Sequence, residues 1–182
     1  MRHGETLWNA EGRLQGSLDA PLTARGRQQA MWQADLVSKI DGQRWSSPQG
    51  RAQRTAEVIF GTNGFLLDDR LSEIGIGTFA GQLLSDLQQA RPHIFQGSPL
   101  DWYDHCPQGE GFAGLALRCR NFLNSLTGPA LIVTHGMTLR MLRLIAQDMP
   151  LSRLAEGDMR QGVVHVIRRG CSNILDHHSD PD

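Results

Sequence analysis

The sequence of 182 residues contains very little lysine, tyrosine or cysteine: Lys39 is its single lysine, and it has one tyrosine and three cysteines. Its other basic residues are arginines, and 18 basic residues nearly balance 19 acidic ones, which gives a formal net charge of -1. A near-neutral chain has no general attraction for nucleic acid or for anionic membranes. We therefore expect neither as a partner, and any affinity for anions must be local.

The few cysteines exclude a disulfide scaffold. Cys106, Cys119 and Cys171 form no close pair along the chain, and their odd number leaves one over. This usage is typical of a reducing compartment. The sequence also lacks an apolar run of the ~18 residues that a membrane helix needs, and it lacks a basic and apolar leader at its start. We expect three free thiols in a cytoplasmic protein.

Length and composition predict a single domain over residues 1–182. With 40% hydrophobic residues and no internal repeat, a chain of this size can bury roughly 70% of its unfolded surface in one core. Residues at about 82–112 are rich in Pro, Gly and aromatics, and we expect either a cap over a site or ordinary packing there. The polar residues at about 172–182 are expected to form a flexible tail.

That tail contains a cluster of side chains that can ligate metals. They are Asp176, His177, His178, Asp180 and Asp182. A polar terminal stretch with proline favours solvated side chains over a metal site. We therefore expect no metal, either at this cluster or elsewhere in the protein.

Strands and helices alternate along the chain. The apolar run from Ala130 to Thr134 is typical of a strand covered on both faces, and a helix with apolar residues at three-residue spacing follows it. The same reasoning predicts a helix from Thr23 to about Lys39, a helix whose inner face holds Ala52, Thr55, Ala56 and Ile59, and a strand from Val163 to Ile167. This alternation predicts a three-layer α/β/α sandwich with a mainly parallel central sheet, whose ligands bind beyond the carboxyl ends of the strands.

Two histidine-glycine pairs mark candidate chemistry. Arg2, His3 and Gly4 open the chain, and His135 and Gly136 follow the apolar run directly. A strand that leads into a helix N-terminus is a favourable place for a phosphate, because the first backbone N–H groups of the helix are free. The second pair therefore predicts an anion site.

Further short motifs are spread over nearly the whole chain. They are Arg2-His3-Gly4-Glu5-Thr6, Asn9, Gln15-Gly16, Asp19-x-Pro21-Leu22-Thr23, Arg51-Ala52-x-x-Thr55-Ala56, Leu71-x-Glu73, Pro107-x-Gly109-Glu110 and Val133-Thr134-His135-Gly136. In this order they resemble the motifs of the histidine phosphatase superfamily, the phosphoglycerate mutase-like enzymes. The resemblance implies a phosphoglycerate mutase-like fold and an activity that needs no cofactor.

The resemblance also implies a role for each matching residue. His3 resembles the nucleophile that becomes phosphohistidine, and Glu73 resembles the proton donor. Arg2, Arg51 and His135 resemble the groups that hold the transferring phosphoryl. A catalytic set of these five residues is therefore expected from the resemblance.

Some of the assigned positions have a structural role as the alternative to a functional one. Asn9 and Gln15 resemble lesser phosphate contacts, for which structural turn contacts are the alternative. Gly136 is expected to offer its backbone to a phosphate at the helix start. A solvated loop acid is the alternative for Glu73. Arg51 at a helix start suggests a bound anion, because a cation alone is unfavourable at the positive end of a helix.

This residue set suits the hydrolysis of a phosphate monoester without a metal. The uncatalysed reaction is among the slowest known, with enzymatic accelerations of up to about 10²¹, so a split reaction path and charge neutralisation both help. A histidine attacks only through an unprotonated nitrogen, which a hydrogen bond from the other ring nitrogen can fix. A carboxyl group held among other anions can keep a proton for the leaving group.

The sequence also departs from the family pattern. Ala80 stands where many relatives have glutamate, which leaves Glu73 as the sole acid candidate in its segment. Gly111 stands where relatives often have serine, which weakens any substrate assignment based on the cap. Only Met1 precedes Arg2, although the family places an apolar strand before the nucleophile. We therefore expect a first strand that is missing or truncated.

The expected activity is that of a phosphatase acting on a small phosphorylated metabolite. The interval from Glu73 to Glu110 is shorter than in the cofactor-dependent phosphoglycerate mutases, and a more open site favours water as the acceptor. A mutase is the first alternative, and a catalytically impaired phospholigand-binding module is the second. Sugar phosphates, phosphoglycerates, nucleotide monophosphates and α-ribazole phosphate stay open as substrates. The oligomeric state stays open too, with a homodimer as one alternative.

Overall fold

In the computed structural model, which describes residues 1–168 and 170–177, three short parallel strands form the central sheet. They are β1 (Gln43–Ser46), β2 (Leu66–Leu67) and β3 (Ala130–Val133), in the spatial order β2-β1-β3. Ser46 is aligned with Val133, so that β1 and β3 end together. The loops that follow these two strands therefore emerge side by side.

The first residues of the chain extend the sheet beyond β3. The Met1 ammonium donates to the Ile132 carbonyl at 2.7 Å, and the Thr134 N–H donates to the Met1 carbonyl at 2.9 Å. The His3 N–H then donates to the Thr134 carbonyl at 2.9 Å. Met1 to His3 thus lie beside β3, where the sequence predicts a first strand that is missing or truncated, and they pair with it through a single bridge. A groove of about 250 Å³, lined in part by Met1, Ile132 and His165, adjoins them.

Helices cover both faces of the sheet. Their bounds are α1 (Leu7–Ala10), α2 (Ala24–Val37), α3 (Gly50–Phe60), α4 (Leu84–Ala90), α5 (Gly111–Ser125) and α6 (Gly136–Ala146). Thr23 caps α2, as predicted, and its hydroxyl accepts a hydrogen bond from the Gly26 N–H at 2.9 Å. Across the described ranges, no helix is both long and apolar enough to cross a membrane.

The side chains of β3 point alternately into two apolar clusters. Leu131 and Val133 belong to the cluster formed with α2 and α3, whereas Ile132 packs against the cluster formed with α5 and α6. Successive residues of a strand face opposite sides of a sheet, so a strand buried on both sides must be apolar throughout. This is the three-layer α/β/α sandwich that the sequence predicts.

The final strands form an antiparallel hairpin apart from the central sheet. β4 (Val164–Arg168) pairs with β5 (Cys171–Leu175). The strand predicted at Val163–Ile167 is confirmed with a shift of its bounds, although its partner is β5. Residues 172–175, which the sequence assigns to a tail, are paired strand, because this pairing satisfies their backbone hydrogen bonds. Among the tail residues that can ligate metals, His178, Asp180 and Asp182 lie outside the described residues.

The aromatic segment at about 82–112 folds as α4 followed by short 3-10 turns. Its rings pack on one another and on the core: the Phe95 centroid lies 6.4 Å from that of Phe79 and 5.5 Å from that of Trp102. Trp102 and Phe112 are buried in the same cluster as the inner faces of α5 and α6. Aromatic packing therefore anchors this segment to the domain.

Candidate active site

His3 lies in the tight loop between the first residues and α1. Gly4 packs so closely against Gly26 that a Cβ on Gly4 would overlap the Gly26 carbonyl, which makes glycine necessary there. His3 Nδ1 lies 2.8 Å from the Gly4 carbonyl oxygen. A carbonyl oxygen only accepts, so Nδ1 carries the proton. In the neutral imidazole, Nε2 is therefore the unprotonated nitrogen.

Burial keeps the His3 imidazole neutral. The residue is 3% exposed. Desolvation, followed by the positive charges of Arg51 and Arg2, lowers the pKa of His3 well below the ordinary value of 6.5. The hydrogen bond to Gly4 opposes this shift without reversing it. A neutral imidazole with a free Nε2 is the form that can attack an electrophile.

His135 is brought beside His3 by strand β3. The two ring centroids are 5.1 Å apart, and the ring planes are tilted by 57°. His135 Nε2 lies 2.8 Å from the hydroxyl of Ser47, and its buried Nδ1 has no hydrogen-bond partner among the described residues. Burial first, and then the charge of Arg51, lowers the pKa of His135 well below 6.5, so that this ring is also neutral.

Arg51 is buried at the start of α3 and connects several loops. It is 1% exposed; its Nη1 donates to the Leu18 carbonyl at 2.7 Å and its Nη2 to the Gly16 carbonyl at 3.0 Å. The anion expected at this helix start is the Asp19 carboxylate, which accepts from the Arg51 backbone N–H and from Arg54, both at 2.9 Å. Arg51 Nε has no partner among the described residues.

Arg2 extends toward the start of α6. Its Nη1 donates to the Met159 carbonyl at 3.1 Å, while its buried Nε has no partner within the part of the chain that the structure describes. Gly136 begins α6 nearby: a Cβ there would lie 3.6 Å from Arg2 Cζ and 3.8 Å from Glu73 Oε2. A guanidinium, a carboxylate and a helix N-terminus therefore meet at one point.

Glu73 is held by the N-terminus of α6. Its carboxylate accepts hydrogen bonds from the N–H groups of Met137 and Thr138 and from the Thr138 hydroxyl, each at 3.2 Å. The Ile74 N–H adds a further bond at 3.0 Å. Sequence reasoning placed this carboxyl group among anions. Its neighbours are instead N–H donors and arginines, because the free N–H groups of a helix start attract a carboxylate.

Asn9 and Gln15 differ in what their side chains contact. Asn9 Oδ1 accepts from the Thr6 N–H at 3.2 Å, within a capping box of α1, and from Gln161 Nε2 at 3.2 Å. This is the turn contact that was the alternative for Asn9. Gln15 is 8% exposed, and its buried Oε1 has no partner in the described ranges.

The predicted residues surround one small cavity. Its volume is about 90 Å³. It is lined by Arg2, His3, Asn9, Arg13, Leu14, Gln15, Gly16, Arg51, Glu73, Ile76 and Tyr103. His135 and Gly136 are outside this lining but lie beside His3 and Arg2. Nε of Arg2 and Nε of Arg51 are buried N–H donors that lack acceptors among the described residues, and an oxyanion can satisfy both.

Sequence reasoning assigned no role to Ser47, Gln49 or Thr138. Gln49 Oε1 accepts from the Glu73 N–H at 3.0 Å and from Arg51 Nη2 at 3.2 Å, which ties these two residues together. Thr138 contacts the Glu73 carboxylate, and Ser47 contacts His135. All of them lie just past the carboxyl end of β1 or β3. That position, where parallel sheets bind ligands, is the signal that could have found them.

The described residues that line this cavity include no cysteine and form no metal-binding cluster. Within residues 1–168 and 170–177, no group of three or more His, Cys, Asp and Glu side chains is arranged to hold a metal ion. Cys106, Cys119 and Cys171 are unpaired. Burial raises the pKa of both Cys106 and Cys119 to about 12, which keeps them as unreactive thiols.

Known proteins share this sequence and its fold. Residues 1–174 match the family described as "Histidine phosphatase superfamily (branch 1)". A protein of Erwinia tasmaniensis named "Probable phosphoglycerate mutase GpmB" is 35% identical over 192 aligned residues, which cover 100% of this chain and 85% of the relative. The name of this relative refers to a mutase.

Solved structures extend the comparison. The α-ribazole phosphatase of Shigella flexneri superposes with a TM-score of 0.79 at 26% identity, covering 98% of this chain and 94% of that one. A mycobacterial glucosyl-3-phosphoglycerate phosphatase, solved with VO3, gives a TM-score of 0.77 at 26% identity, covering 96% and 94%. The family match and the aligned relative each span nearly all of this chain, which therefore belongs to the histidine phosphatase superfamily.

Proposed function

We propose that this protein is a metal-independent phosphomonoesterase that works through a phosphohistidine on His3. One observation carries the proposal: a neutral, buried imidazole offers an unprotonated Nε2 at a cavity that also holds Arg2, Arg51 and Glu73. A nucleophile beside two fixed positive charges suits a reaction whose transition state spreads negative charge over phosphoryl oxygens.

The phosphoryl group binds among donors that are already in place. Its contacts are Arg2, Asn9, Gln15, Arg51, His135 and the backbone of Gly136. Nε of Arg2, Nε of Arg51 and Nδ1 of His135 are among the buried nitrogens without partners in the described chain. Phosphoryl oxygens can accept from the two arginine nitrogens, and from Nδ1 of His135 in the tautomer whose Nε2 accepts from Ser47. Because these donors are held by the surrounding loops before the substrate arrives, little reorganisation accompanies the reaction.

In the first step, Nε2 of His3 attacks phosphorus and the bond between phosphorus and the ester oxygen breaks. Glu73 enters this step protonated and donates its proton to the leaving oxygen, so that a neutral alcohol departs. The product is a phosphohistidine and a Glu73 carboxylate.

In the second step, a water molecule attacks the phosphohistidine. The Glu73 carboxylate takes a proton from this water while the bond between phosphorus and Nε2 breaks, and the bonding electrons return to the nitrogen. Inorganic phosphate leaves, and His3 and Glu73 are back in their starting forms.

Transfer to a second substrate hydroxyl, as in a mutase, is the competing reaction. It is favoured by the name of the Erwinia tasmaniensis relative. Water as the acceptor is favoured by the named phosphatases among the structural relatives and by the short interval from Glu73 to Glu110. Incubation with 3-phosphoglycerate separates the two, since a phosphatase releases inorganic phosphate and a mutase yields 2-phosphoglycerate.

The proposal is tested by replacing the nucleophile. His3→Ala should abolish release of phosphate from p-nitrophenyl phosphate in the presence of a chelator, and the parent alone should give an acid-labile, base-stable phosphoprotein after rapid quenching. His93→Ala is the matched control, because His93 is an exposed histidine away from the cavity. Turnover by His3→Ala equal to that of the parent, or loss of parental turnover on chelation, would overturn the proposal.

The remaining partners follow from the same proposal. The substrate is a small phosphorylated metabolite, and no nucleic acid or membrane takes part. A cytoplasmic location is supported by the three unpaired thiols, of which Cys171 is exposed. Fractionation of cells that express the tagged protein, with a periplasmic or secreted marker beside it, tests that location.

A further inference from the structure

Tyr103 reaches the candidate active site from the aromatic segment. It is the only tyrosine of the chain and lies in a 3-10 turn at Asp101–His105. Among the described residues that line the cavity of about 90 Å³, it is the only one from the segment at 82–112. The same lining includes His3 and Glu73. A side chain that belongs to none of the motifs is thus placed beside His3 and Glu73.

The ring of Tyr103 is held in position by its neighbours. Its centroid lies 3.8 Å from that of Trp102, with the planes inclined by 25°. Trp102 is 6% exposed and packs in turn against Phe95 at 5.5 Å. A ring fixed in this way presents its hydroxyl group to the cavity without losing side-chain entropy when a ligand binds.

The hydroxyl group of Tyr103 is a hydrogen-bond donor. Burial, followed by the negative charge of Glu73, raises the pKa of Tyr103 above its ordinary value, so the group stays protonated. The hydroxyl of a tyrosine whose ring is packed usually binds a polar partner.

The charge of Glu73 influences Tyr103, so both groups face the same region of the cavity. Under the proposed function, on which this inference rests, Glu73 serves the leaving oxygen. The alcohol portion of the substrate must therefore lie between Glu73 and the aromatic segment.

We propose that the Tyr103 hydroxyl binds the alcohol portion of the substrate and selects phosphate esters that carry a hydrogen-bond acceptor close to the ester oxygen. Phosphates of hydroxy acids and of polyols have such an acceptor, and simple aryl phosphates do not. Tyr103 is accordingly a specificity-determining residue. An ester with the acceptor gains one hydrogen bond from Tyr103, whereas an ester without it gives the hydroxyl no partner on the substrate.

Tyr103→Phe removes the hydroxyl and keeps the ring. We expect kcat/KM to fall about tenfold for 3-phosphoglycerate and by less than about twofold for phenyl phosphate, the loss of one hydrogen bond being the only change. His93→Ala is the control, since His93 is exposed in the same segment and lies outside the cavity lining; it should leave kcat/KM for both substrates unchanged. Equal losses on both esters in Tyr103→Phe, or a selective loss in His93→Ala, would overturn the assignment.

A direct binding measurement uses the fact that the chain has a single tyrosine. In the His3→Ala protein labelled with 3-fluorotyrosine, the one ¹⁹F resonance should shift on addition of 3-phosphoglycerate and shift much less with inorganic phosphate. An equal shift with phosphate would place the hydroxyl on the phosphoryl group and overturn the proposal.

The two proposals fail in different ways. A parent protein that hydrolyses neither ester refutes the phosphatase assignment and, with it, this inference. A parent that hydrolyses both, with a Tyr103→Phe variant that keeps the same preference between them, refutes only the role of Tyr103.

Discussion

Replacing Arg51 by lysine separates the charge of this residue from its geometry. Arg51 spans the Leu18 carbonyl at 2.7 Å and the Gly16 carbonyl at 3.0 Å while it is 1% exposed. Lysine keeps the positive charge but has one nitrogen, which cannot serve both carbonyls and a phosphoryl oxygen. At least one buried acceptor is then left unpaired.

The magnitudes follow from those contacts. An unpaired buried acceptor costs about 1–3 kcal/mol in the free energy of unfolding. Loss of an oriented charge-stabilising donor costs about 3 kcal/mol in the activation barrier, which corresponds to a decrease of about 150-fold in kcat/KM. We therefore expect Arg51→Lys to be folded but less stable, and to lose about two orders of magnitude in activity.

The measurement combines urea unfolding with kcat/KM for p-nitrophenyl phosphate under conditions where each variant is folded. Arg54→Lys is the matched control: it lies on the same helix and contacts the same Asp19 carboxylate, but its side chain is 51% exposed. An exposed ion pair contributes about 0.2–1 kcal/mol, so this variant should resemble the parent. An Arg51→Lys protein within about threefold of parental kcat/KM would refute the reasoning, because it would show that charge alone suffices.

Three further predictions concern Glu73 as the proposed proton donor, the buried histidines, and the loop of the proposed nucleophile His3. Glu73→Gln should slow the hydrolysis of esters with poor leaving groups by about 100-fold. It should slow the hydrolysis of p-nitrophenyl phosphate far less, since that leaving group needs little protonation. Equal losses on both kinds of ester would mean that Glu73 only organises the site. The pKa values of His3 and His135 are lowered well below 6.5, so below that pH the unfolded chain binds more protons than the folded chain. The free energy of unfolding should therefore be constant above about pH 6.5 and fall as the pH drops. In urea titrations His3→Asn should weaken this pH dependence, and an unchanged slope would argue against burial of a neutral ring. Gly4→Ala should destabilise the fold by about 1–3 kcal/mol through overlap with the Gly26 carbonyl, while Gly128→Ala, which meets no atom within 4 Å, should not; equal melting temperatures for the two would contradict the close packing.

Local signals in the sequence predict the elements that carry the site. Thr23 caps α2 because its hydroxyl meets an N–H three residues ahead, a contact that depends on neighbouring residues alone. The continuous apolar run predicts β3, since both its faces are covered, and it places His135 at the carboxyl end of a strand. The family match agrees with the motifs, but the role of each site residue stays a prediction.

Contacts between distant segments were beyond such reasoning. The carboxylate of Glu73 lies at the start of α6, and the Asp19 carboxylate at the start of α3, because each helix start attracts an anion from a remote loop. Nothing near either acid in sequence predicts which helix it meets. The sequence does not predict the separate hairpin of β4 and β5 for a similar reason: the pattern of a strand does not indicate which other strand it pairs with.

The bridge between Arg2 and Thr134 makes His3 and His135 equivalent positions on neighbouring parallel segments. Adjacent strands lie about 4.8 Å apart, and the two imidazole centroids are 5.1 Å apart. The pairing of the two backbone segments therefore sets the spacing of the two rings. Changes in the surrounding side chains can alter the charge and the accessibility of the two rings, but the distance between the rings is set by the spacing of the strands.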